Sequence, residues 1–587
     1  MKKTALFLLT AGLLICVTIH AGASDSKITV PLTFDHYYSY EQVVQAVKAL
    51  HKTFPKLTQL DEVGTSEEGR AIYCMTVNNP ETGAEQDKPG IYVDGNIHGN
   101  EIQATEVCLY FLNYILTKYS ENPQITKLVN KNCFYIIPTV NVDGRYHFFK
   151  DPNTSSSNRG LRRPKDDDRD GLVNEDFPDD LDGDGNICLM RKKDPLGEFK
   201  TDPEDPRLML RVKPGEQGEW TVLGQEGIDN DGDGLINEDS EGYVDPNRNW
   251  GFDWMPEYVQ AGAGEYPFSG KGIKAMASYI RQRPNICIAW ALHNSGGMYL
   301  RGPSQKKLSY PPQDIQVYDY LGEQAERITP GYQYLVGWKD LYTTYGDFIE
   351  WMVCCNGAYG FVGELFQSSS ETFKTREEEK RVQPETGLAA PFTESNDVVR
   401  ERLKFNDHLA QGELYKSWAP YKHPTYGKVE IGGWVKFSSR MPAPFMLKDL
   451  VHRNAMAILF SAKNTPEVSL SVFDLKKIKN DLYRLRVRLK NSKAIPTMSY
   501  YSQKNKLYPK DTLRVSGNKA RILAGGTLTD PYRDTVSYKE HRPGLQFLFI
   551  PGFGHVEYQF LVSGKGSIEI KYESRFGGKI TKTLTLK

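Results

Sequence analysis

The chain has 587 residues, a formal net charge of −1 and 12% aromatic residues. This length is too great for one ordinary hydrophobic core, so two or more domains are expected. The near-neutral charge gives no reason to expect nucleic acid or an anionic membrane surface as a partner.

The N-terminus has the pattern of a secretory signal peptide. Met1-Lys2-Lys3 supplies positive charge, the run from Ala5 to Ile19 is apolar, and Ala21-Gly22-Ala23 has the small residues of a cleavage site. The apolar run is short for a membrane span, and no later stretch reaches spanning length. We therefore expect residues 1–23 to be removed and the mature protein to be exported, either periplasmic or secreted, and not to be an integral membrane protein.

Apolar runs alternate with helical patterns through the first two thirds of the chain. An opening helix is predicted within residues 31–56, and strands are predicted at residues 91–98, 133–141, 286–293 and 360–366. A helix from about Glu101 places one set of apolar side chains on one face: Val107, Tyr110, Phe111, Tyr114 and Ile115. Continuous apolar strands between helices indicate an α/β domain with a covered, largely parallel or mixed sheet.

Residues 151–243 are rich in Asp, Gly, Asn, Arg and Pro and lack periodicity, so they are predicted to form an insertion. Within it, "DRDGLVNED" at 168–176 recurs as "DGDGLINED" at 231–239. Three DxDxDG loops carry hard oxygen ligands at alternate positions, which favours calcium, although none has Glu at the twelfth loop position of an EF-hand. The alternative is a solvated acidic loop. The candidate ligands are Asp166, Asp168, Asp170, Glu175, Asp180, Asp182, Asp184, Asp229, Asp231, Asp233 and Glu238.

The C-terminal third is predicted to be a small all-β domain, most simply a sandwich. A helix at about 396–418 should close the α/β domain, and "APYKHPTYG" at 419–427 should be a linker. Beyond it the sequence alternates with period two, as in "LYRLRVRLK" at 482–490, and ends in a hairpin around Gly577-Gly578. The predicted domains are thus 24–420, with the insertion, and 425–587. Seven cysteines remain after residue 23, without CxxC pairs, and should be buried thiols with at most one or two bridges.

Several residues at predicted strand ends could carry chemistry. His98 and Glu101 follow a strand with the spacing HxxE, and His293 ends another, so two imidazoles and a carboxylate could hold a catalytic zinc. HxxE alone is a weak signal, and a surface His with a first-turn Glu is the plainer interpretation. Glu364 interrupts an apolar strand, where an unpaired carboxylate is costly unless it is functional.

Taken together, five motifs give a more specific signal. "HGNE", "NVDGR", "NRNW", "ALHNSGG" and "GFVGELF" occur in the order found in the M14 zinc carboxypeptidases, and residues 31–420 resemble that family. The resemblance implies a mixed-sheet α/β domain with a zinc ion. It also implies these roles: zinc ligands His98, Glu101 and His293; general base Glu364; oxyanion arginine Arg162; substrate-carboxylate ligands Asn247 and Arg248; closing tyrosine Tyr342; and specificity-pocket base Ile349.

Two of these placements have competitors. The acidic insertion separates the oxyanion arginine from the Asn-Arg pair, so Arg159 or Arg163 could take the place of Arg162. Tyr345 competes with Tyr342.

The function that follows is that of an exported zinc metallocarboxypeptidase acting on peptides with a free C-terminus. Ile349 favours apolar or aromatic side chains, although the nearby Asp347 weakens that preference. One alternative is a zinc hydrolase that trims cell-wall peptides containing D-centres. Another is a non-catalytic binding protein of the same fold, which loss of a ligand or of the base would indicate; all four residues are present. The sequence leaves the oligomeric state open.

Overall fold

The computed structural model describes residues 32–166, 171–239, 242–371, 396–438 and 440–586. The predicted signal peptide and the candidate calcium ligands Asp168 and Asp170 lie outside the described residues. No helix within these ranges combines the length and the hydropathy needed to cross a membrane.

The helices and strands follow in chain order. The helices are α1 Tyr40–Thr53, α2 Gln103–Thr117, α3 Pro123–Lys131, α4 Val142–Lys150, α5 Lys271–Arg281, α6 Pro312–Ile328, α7 Phe348–Trp351, α8 Asn396–His408, α9 Pro444–Lys463 and α10 Tyr500–Asn505. The strands are β1 Thr58–Thr65, β2 Ala71–Val77, β3 Gly90–Gly95, β4 Cys133–Ile137, β5 Leu161–Arg162, β6 Leu189–Lys193, β7 Phe199–Thr201, β8 Met209–Arg211, β9 Trp220–Gln225, β10 Tyr243–Val244, β11 Ile286–Asn294, β12 Met298–Arg301, β13 Gln333–Val336, β14 Tyr359–Leu365, β15 Tyr415–His423, β16 Gly427–Trp434, β17 Val468–Lys479, β18 Leu482–Asn491, β19 Asp511–Asp530, β20 Thr535–Tyr538, β21 Leu545–Leu548, β22 His555–Ser574 and β23 Gly578–Leu586.

A mixed eight-stranded sheet forms the centre of the first unit, in the order β1-β2-β4-β3-β11-β14-β12-β13. Its middle strands β4, β3, β11 and β14 are parallel neighbours. Ile288 and Trp290 of β11 enter the core below α2, α6 and α9, whereas Ala289 and Ala291 enter the core below α5 and α7. Both faces are thus covered, which explains the continuous apolar runs and confirms the predicted α/β fold with a mixed sheet.

The insertion is more regular than its composition indicated. Strands β6, β7, β8 and β9 join β15 and β16 in a six-stranded sheet. The predicted helix at 396–418 ends at His408, and the predicted linker 419–427 is wrong, because it contributes to the β15–β16 hairpin. Pro420 is tolerated in β15, since this strand lies at the edge of the sheet.

The C-terminal region is β-rich, as predicted, but it does not begin directly after that hairpin. Residues 444–463 form α9, which packs on α2 and α6 and shares their core, so the expectation of period two throughout this region is wrong. A seven-stranded antiparallel sheet of β17–β23 follows. Its last hairpin pairs Ser574 with Gly578, which confirms the predicted terminal hairpin. The seven cysteines within the described ranges are all free thiols, and only Cys355 among them is exposed.

Candidate metal centre and substrate cleft

The candidate metal ligands lie at the carboxyl ends of neighbouring parallel strands. β3 ends at Gly95 and is followed by His98, while His293 is the penultimate residue of the adjacent strand β11. Glu364 stands beside His293 in the register of β11 and β14. Active sites of open α/β sheets form at this edge, because the loops leaving several strands converge there.

His98, Glu101 and His293 converge on one point. Nδ1 of His98 lies 2.9 Å from Oε1 of Glu101, and Nδ1 of His293 lies 3.0 Å from Oε2 of the same carboxylate. The two Nδ1 atoms are only 3.2 Å apart. All three side chains are buried, and the three donor atoms lie within 4.8 Å of one another.

The electrostatics of this cluster suit a cation. Burial alone would raise the pKa of Glu101, but the charges and hydrogen bonds of His98 and His293 hold it well below its usual range. Burial would lower the pKa of His293, but its hydrogen bond with Glu101 raises it. Two imidazole nitrogens and a carboxylate, all facing inward at close range, form the donor set of a three-ligand catalytic zinc site. The residues present therefore fit a zinc ion.

Asp245, which the sequence analysis did not single out, orients the first ligand. Its Oδ1 lies 2.9 Å from Nε2 of His98, so the other ring nitrogen, Nδ1, faces the centre. The backbone N–H of Asn247 also donates to Oδ1 of Asp245, at 2.7 Å. Burial would raise the pKa of Asp245, but the charges of His98 and Arg248 keep it well below its usual range. A carboxylate behind a metal-ligating imidazole fixes the ring and strengthens the ligand.

A cleft beside the ligands contains the remaining residues of the predicted site. It is lined by His98, Arg159, Asn247, Arg248, His293, Tyr342, Asp347, Ile349 and Glu364, among others. Burial is the main cause that raises the pKa of Glu364, and the charge of Glu101 adds to it. A positioned carboxyl group can accept a proton and return it as a general acid and base.

Asn247 and Arg248 are held rigidly in this cleft. The Asn247 side chain accepts a hydrogen bond from the backbone N–H of Phe348, at 3.0 Å, and its Nδ2 lies 3.4 Å from Nε2 of His293. The Arg248 guanidinium donates to the carbonyl of Asn247, at 2.8 Å. Burial would lower the pKa of Arg248, but Asp245 raises it, so the cation is stable although almost fully buried.

Comparisons with known proteins find zinc carboxypeptidases. A sequence model described as zinc carboxypeptidase, peptidase M14, matches residues 43–203, and one described as a domain of unknown function matches residues 467–585. Human carboxypeptidase D is 30% identical over 154 residues, which are 26% of this chain and 11% of that protein. Mouse carboxypeptidase A6 is 23% identical over 342 residues, 57% of this chain and 60% of that protein. The solved carboxypeptidase A of Helicoverpa armigera has a TM-score of 0.41 at 17% identity, over 73% of this chain and 76% of that one.

Residues 43–203 match the M14 zinc carboxypeptidase family, which confirms the resemblance found in the sequence. It spans less than two thirds of the length of the curated relatives named above. The metal of the family is zinc, in agreement with the donor set of the cluster.

Of the three candidate arginines, Arg159 is the one that contacts the metal centre. Its Nη1 donates to Oε1 of Glu101, at 2.7 Å, and the charges of Glu101 and Asp245 raise its pKa although burial opposes them. Arg162 instead donates to Asn158, at 2.9 Å, and does not line the cleft. Leu161 and Arg162 pair with β10. Successive side chains of a strand lie on opposite faces, so the side chain of Arg162 lies on the face opposite the buried Leu161. Arg163 donates to the carbonyl of Ser269, at 2.6 Å.

Of the two candidate tyrosines, Tyr342 lines the cleft and is 40% exposed. Tyr345 does not line the cleft; Lys307 lies over its ring and its backbone N–H donates to Gln260. Tyr342 therefore remains the predicted closing tyrosine.

Arg440 lies beyond residue 420, the predicted end of the catalytic domain, but its side chain is close to the metal centre. Its Nη1 lies 3.8 Å from Oε1 of Glu101, and its carbonyl accepts a hydrogen bond from the Asn294 side chain, at 3.0 Å. The sequence offered no signal for this residue, because 339 positions separate it from Glu101.

The acidic loops come together only in part. Three groups place carboxylate oxygens within 4.8 Å of one another: Asp229, Asp231 and Asp233; Asp176, Asp231 and Glu238; and Asp180, Asp182 and Glu226. Asp176 and Glu226 were not among the predicted ligands. Asp184 is paired with Lys416, Asp166 accepts a hydrogen bond from Gly171, and the backbone of Glu175 donates to Asp239.

Proposed function

We propose that this protein is a zinc-dependent carboxypeptidase that hydrolyses the C-terminal peptide bond of peptides. The observation that supports it best is the convergence of His98, Glu101 and His293 in one cleft with Glu364 and Arg248. A zinc ion held there would supply a Lewis acid and lower the pKa of a water molecule to about 7.

The side chains of the cleft divide the remaining work. Glu364 takes a proton from the attacking water and returns it to the leaving amine, a role that suits its raised pKa. Arg159 donates N–H groups to the carbonyl oxygen as negative charge develops on it. Asn247 and Arg248 bind the terminal carboxylate, and because a guanidinium fork prefers two carboxylate oxygens, internal peptide bonds are cut poorly.

The side-chain preference follows from the cleft wall. Ile349 offers an apolar surface for an aliphatic or aromatic C-terminal residue. Asp347 lines the same cleft, where burial raises the pKa of its carboxyl group, and a carboxylate there would oppose an apolar side chain.

Calcium binding to the insertion is part of the proposal. The strongest candidates are the two groups that share Asp231, one with Asp229 and Asp233 and the other with the buried Asp176 and Glu238. In the third group Lys416 already neutralises Asp182. A calcium chelator that leaves zinc bound should lower the melting temperature of the insertion. Unchanged melting, with the zinc content verified by mass spectrometry, would contradict calcium binding.

Location and domain organisation complete the proposal. The pattern at residues 1–23 supports export to the periplasm or the medium. The C-terminal sheet would be a sandwich, because both halves of the long strands β19 and β22 contribute to one core. A domain boundary after Lys463 accounts better for α9, which packs with the first unit.

The test is release of C-terminal residues from a peptide panel by the zinc-loaded protein. We expect release to stop when zinc is removed and to fall by about 10³-fold or more in Glu364→Gln. An acidic residue of the surface, as in Glu121→Gln, serves as the matched control. Full activity in Glu364→Gln would refute the mechanism, and release of internal fragments alone would refute exopeptidase action.

A further inference from the structure

A second, larger cavity lies beside the metal centre. It has a volume of about 610 Å³ and shares Arg159 with the cleft that contains His98 and Glu364. Every residue that lines it belongs to the insertion, residues 151–243. We call it the outer cavity. Its volume lies within the range of about 300–1,000 Å³ that is typical of ligand sites.

A short hydrogen-bonded chain lies along the border where the two spaces meet at Arg159. Arg159 Nε donates to the hydroxyl of Tyr243, at 3.3 Å, and that hydroxyl donates to Asp245, at 3.1 Å. Asp245 in turn holds His98. The outer cavity therefore begins directly behind the groups that orient the metal ligands and the carbonyl of the substrate.

The direction of a bound peptide follows from the proposed function, on which this inference depends. Arg248 anchors the terminal carboxylate and Arg159 contacts the carbonyl of the scissile bond. The residues that precede this bond must then continue past Arg159, where the outer cavity begins. A roughly spherical space of this volume is about 10 Å across, the length of about three extended residues.

The chemistry of the lining suits a peptide backbone. Arg162 presents N–H donors on one side. Asp239 is buried, its Oδ2 accepts from the backbone N–H groups of Glu175 and Asp176, and its Oδ1 has no hydrogen-bond partner among the described residues. Each peptide unit offers one carbonyl acceptor, which the N–H groups of Arg162 can bind, and one N–H donor, which the Asp239 carboxylate can bind. Phe177 and Ile187 supply apolar contact for side chains.

We propose that the outer cavity binds the peptide segment preceding the scissile bond, so that the insertion selects oligopeptides over dipeptides. Substrates would then be peptides that extend at least three residues before the cleaved bond.

The experiment compares an N-acetylated dipeptide and an N-acetylated pentapeptide with the same two C-terminal residues. Two exposed residues of the lining are enlarged separately, as Gln225→Trp and Ser156→Trp. Leu196→Trp is the control, because Leu196 lies in a turn of the same insertion and is 92% exposed. The readouts are kcat/KM of the zinc-loaded enzyme and, independently of catalysis, binding to zinc-loaded Glu364→Gln by calorimetry.

We expect the wild-type chain to prefer the pentapeptide by at least tenfold in both readouts. Each of the two cavity variants should lower that ratio at least tenfold, while Leu196→Trp retains it. The proposal would be overturned if the wild type had equal kcat/KM and equal affinity for both peptides. It would also be overturned if the ratio of pentapeptide to dipeptide stayed unchanged in both cavity variants. If the preference appears in binding but no residue is released, the carboxypeptidase assignment fails and the outer cavity stands. If residues are released without a length preference, the carboxypeptidase assignment stands and the proposal for the outer cavity fails.

Discussion

Asp245 contacts His98 through Nε2 and so decides which ring nitrogen faces the metal centre. Asp245→Asn keeps the shape of the side chain but removes its charge. We expect the affinity for zinc to fall by about 10–100-fold. Competition with a chelator of known affinity measures this change. Asp253→Asn, at a carboxylate that pairs with Lys307 away from the centre, should retain wild-type affinity; a similar loss in both variants would contradict a specific role for Asp245.

The metal centre shows what a single sequence can and cannot reveal at the scale of residues. His98 and Glu101 lie three positions apart, so their shared task is visible in a motif, and His293 and Glu364 stand out at the ends of apolar strands. Asp245 is 147 positions from His98, and its preceding strand β10 has only two residues. No local pattern marks such a contact. Arg159 and Arg162 lie three positions apart in the sequence, and only their contacts in the structure separate them: Arg159 donates to Glu101, and Arg162 donates to Asn158.

Arg159 and Arg162 provide a matched pair for the oxyanion role. Arg159→Ala should lower kcat by about 10²–10³-fold, because a donor aimed at the developing charge is lost. Arg162→Ala should change the release of a C-terminal residue from a blocked dipeptide much less, since Arg162 does not line the cleft. Zinc content is measured in both, because Arg159 also contacts Glu101. A larger loss of kcat in Arg162→Ala would restore the assignment made from the sequence motif.

At the scale of elements, strands buried on both faces were the most predictable part. β3, β4, β11 and β14 read as continuous apolar runs because helices cover both faces of the sheet. The strands of the insertion were missed, since β6 carries the polar sequence LMRKK and pairs with strands distant in the chain. Helix α9 was missed, although four of its buried apolar residues recur at helical spacing: Leu447, Val451, Ile458 and Ala462. The strong period-two alternation after residue 468 favoured strands for the whole region.

The C-terminal sheet contains a carboxyl group that makes its stability depend on pH. Asp511 in β19 is buried and accepts a hydrogen bond from Tyr572, at 2.8 Å, and burial raises its pKa from 3.8 to about 6. Between these two values the unfolded chain has lost the proton that the folded chain retains. Rising pH therefore destabilises the fold across this window, by up to about 3 kcal/mol, and the effect is constant above it.

Asp511→Asn should remove this dependence. Hydrogen exchange of peptides from β19 and β22, compared between variant and wild type at the same pH, cancels the intrinsic effect of pH on exchange. We expect the stability of the variant relative to the wild type to increase by about 3 kcal/mol between pH 4 and pH 7. A constant difference across this range would show that Asp511 ionises normally in the folded chain.

At the scale of the whole molecule, the two units share contacts that a simple linker would not provide. The Asp314 carboxylate of α6 accepts hydrogen bonds from the backbone N–H groups of Tyr500 and Tyr501, at 3.0 and 2.7 Å. Arg575 donates to the carbonyls of Pro284 and Asn356. Phe576, at the turn between β22 and β23, is fully buried in the core that contains α2, α6 and α9. The C-terminal sheet is therefore expected to stabilise the catalytic unit.

Phe576→Ala tests this coupling, because the chain has no tryptophan after Trp434 and tryptophan fluorescence reports only on the first unit and the insertion. Loss of the buried ring should destabilise that unit by about 3–5 kcal/mol, through lost burial and the cavity left behind. Denaturant unfolding followed by fluorescence measures the shift. Phe547→Ala, at a half-exposed ring of the same sheet, should leave the transition in place. If neither variant moves the fluorescence transition, the two units unfold independently, and the burial of Phe576 serves only to attach the C-terminal sheet.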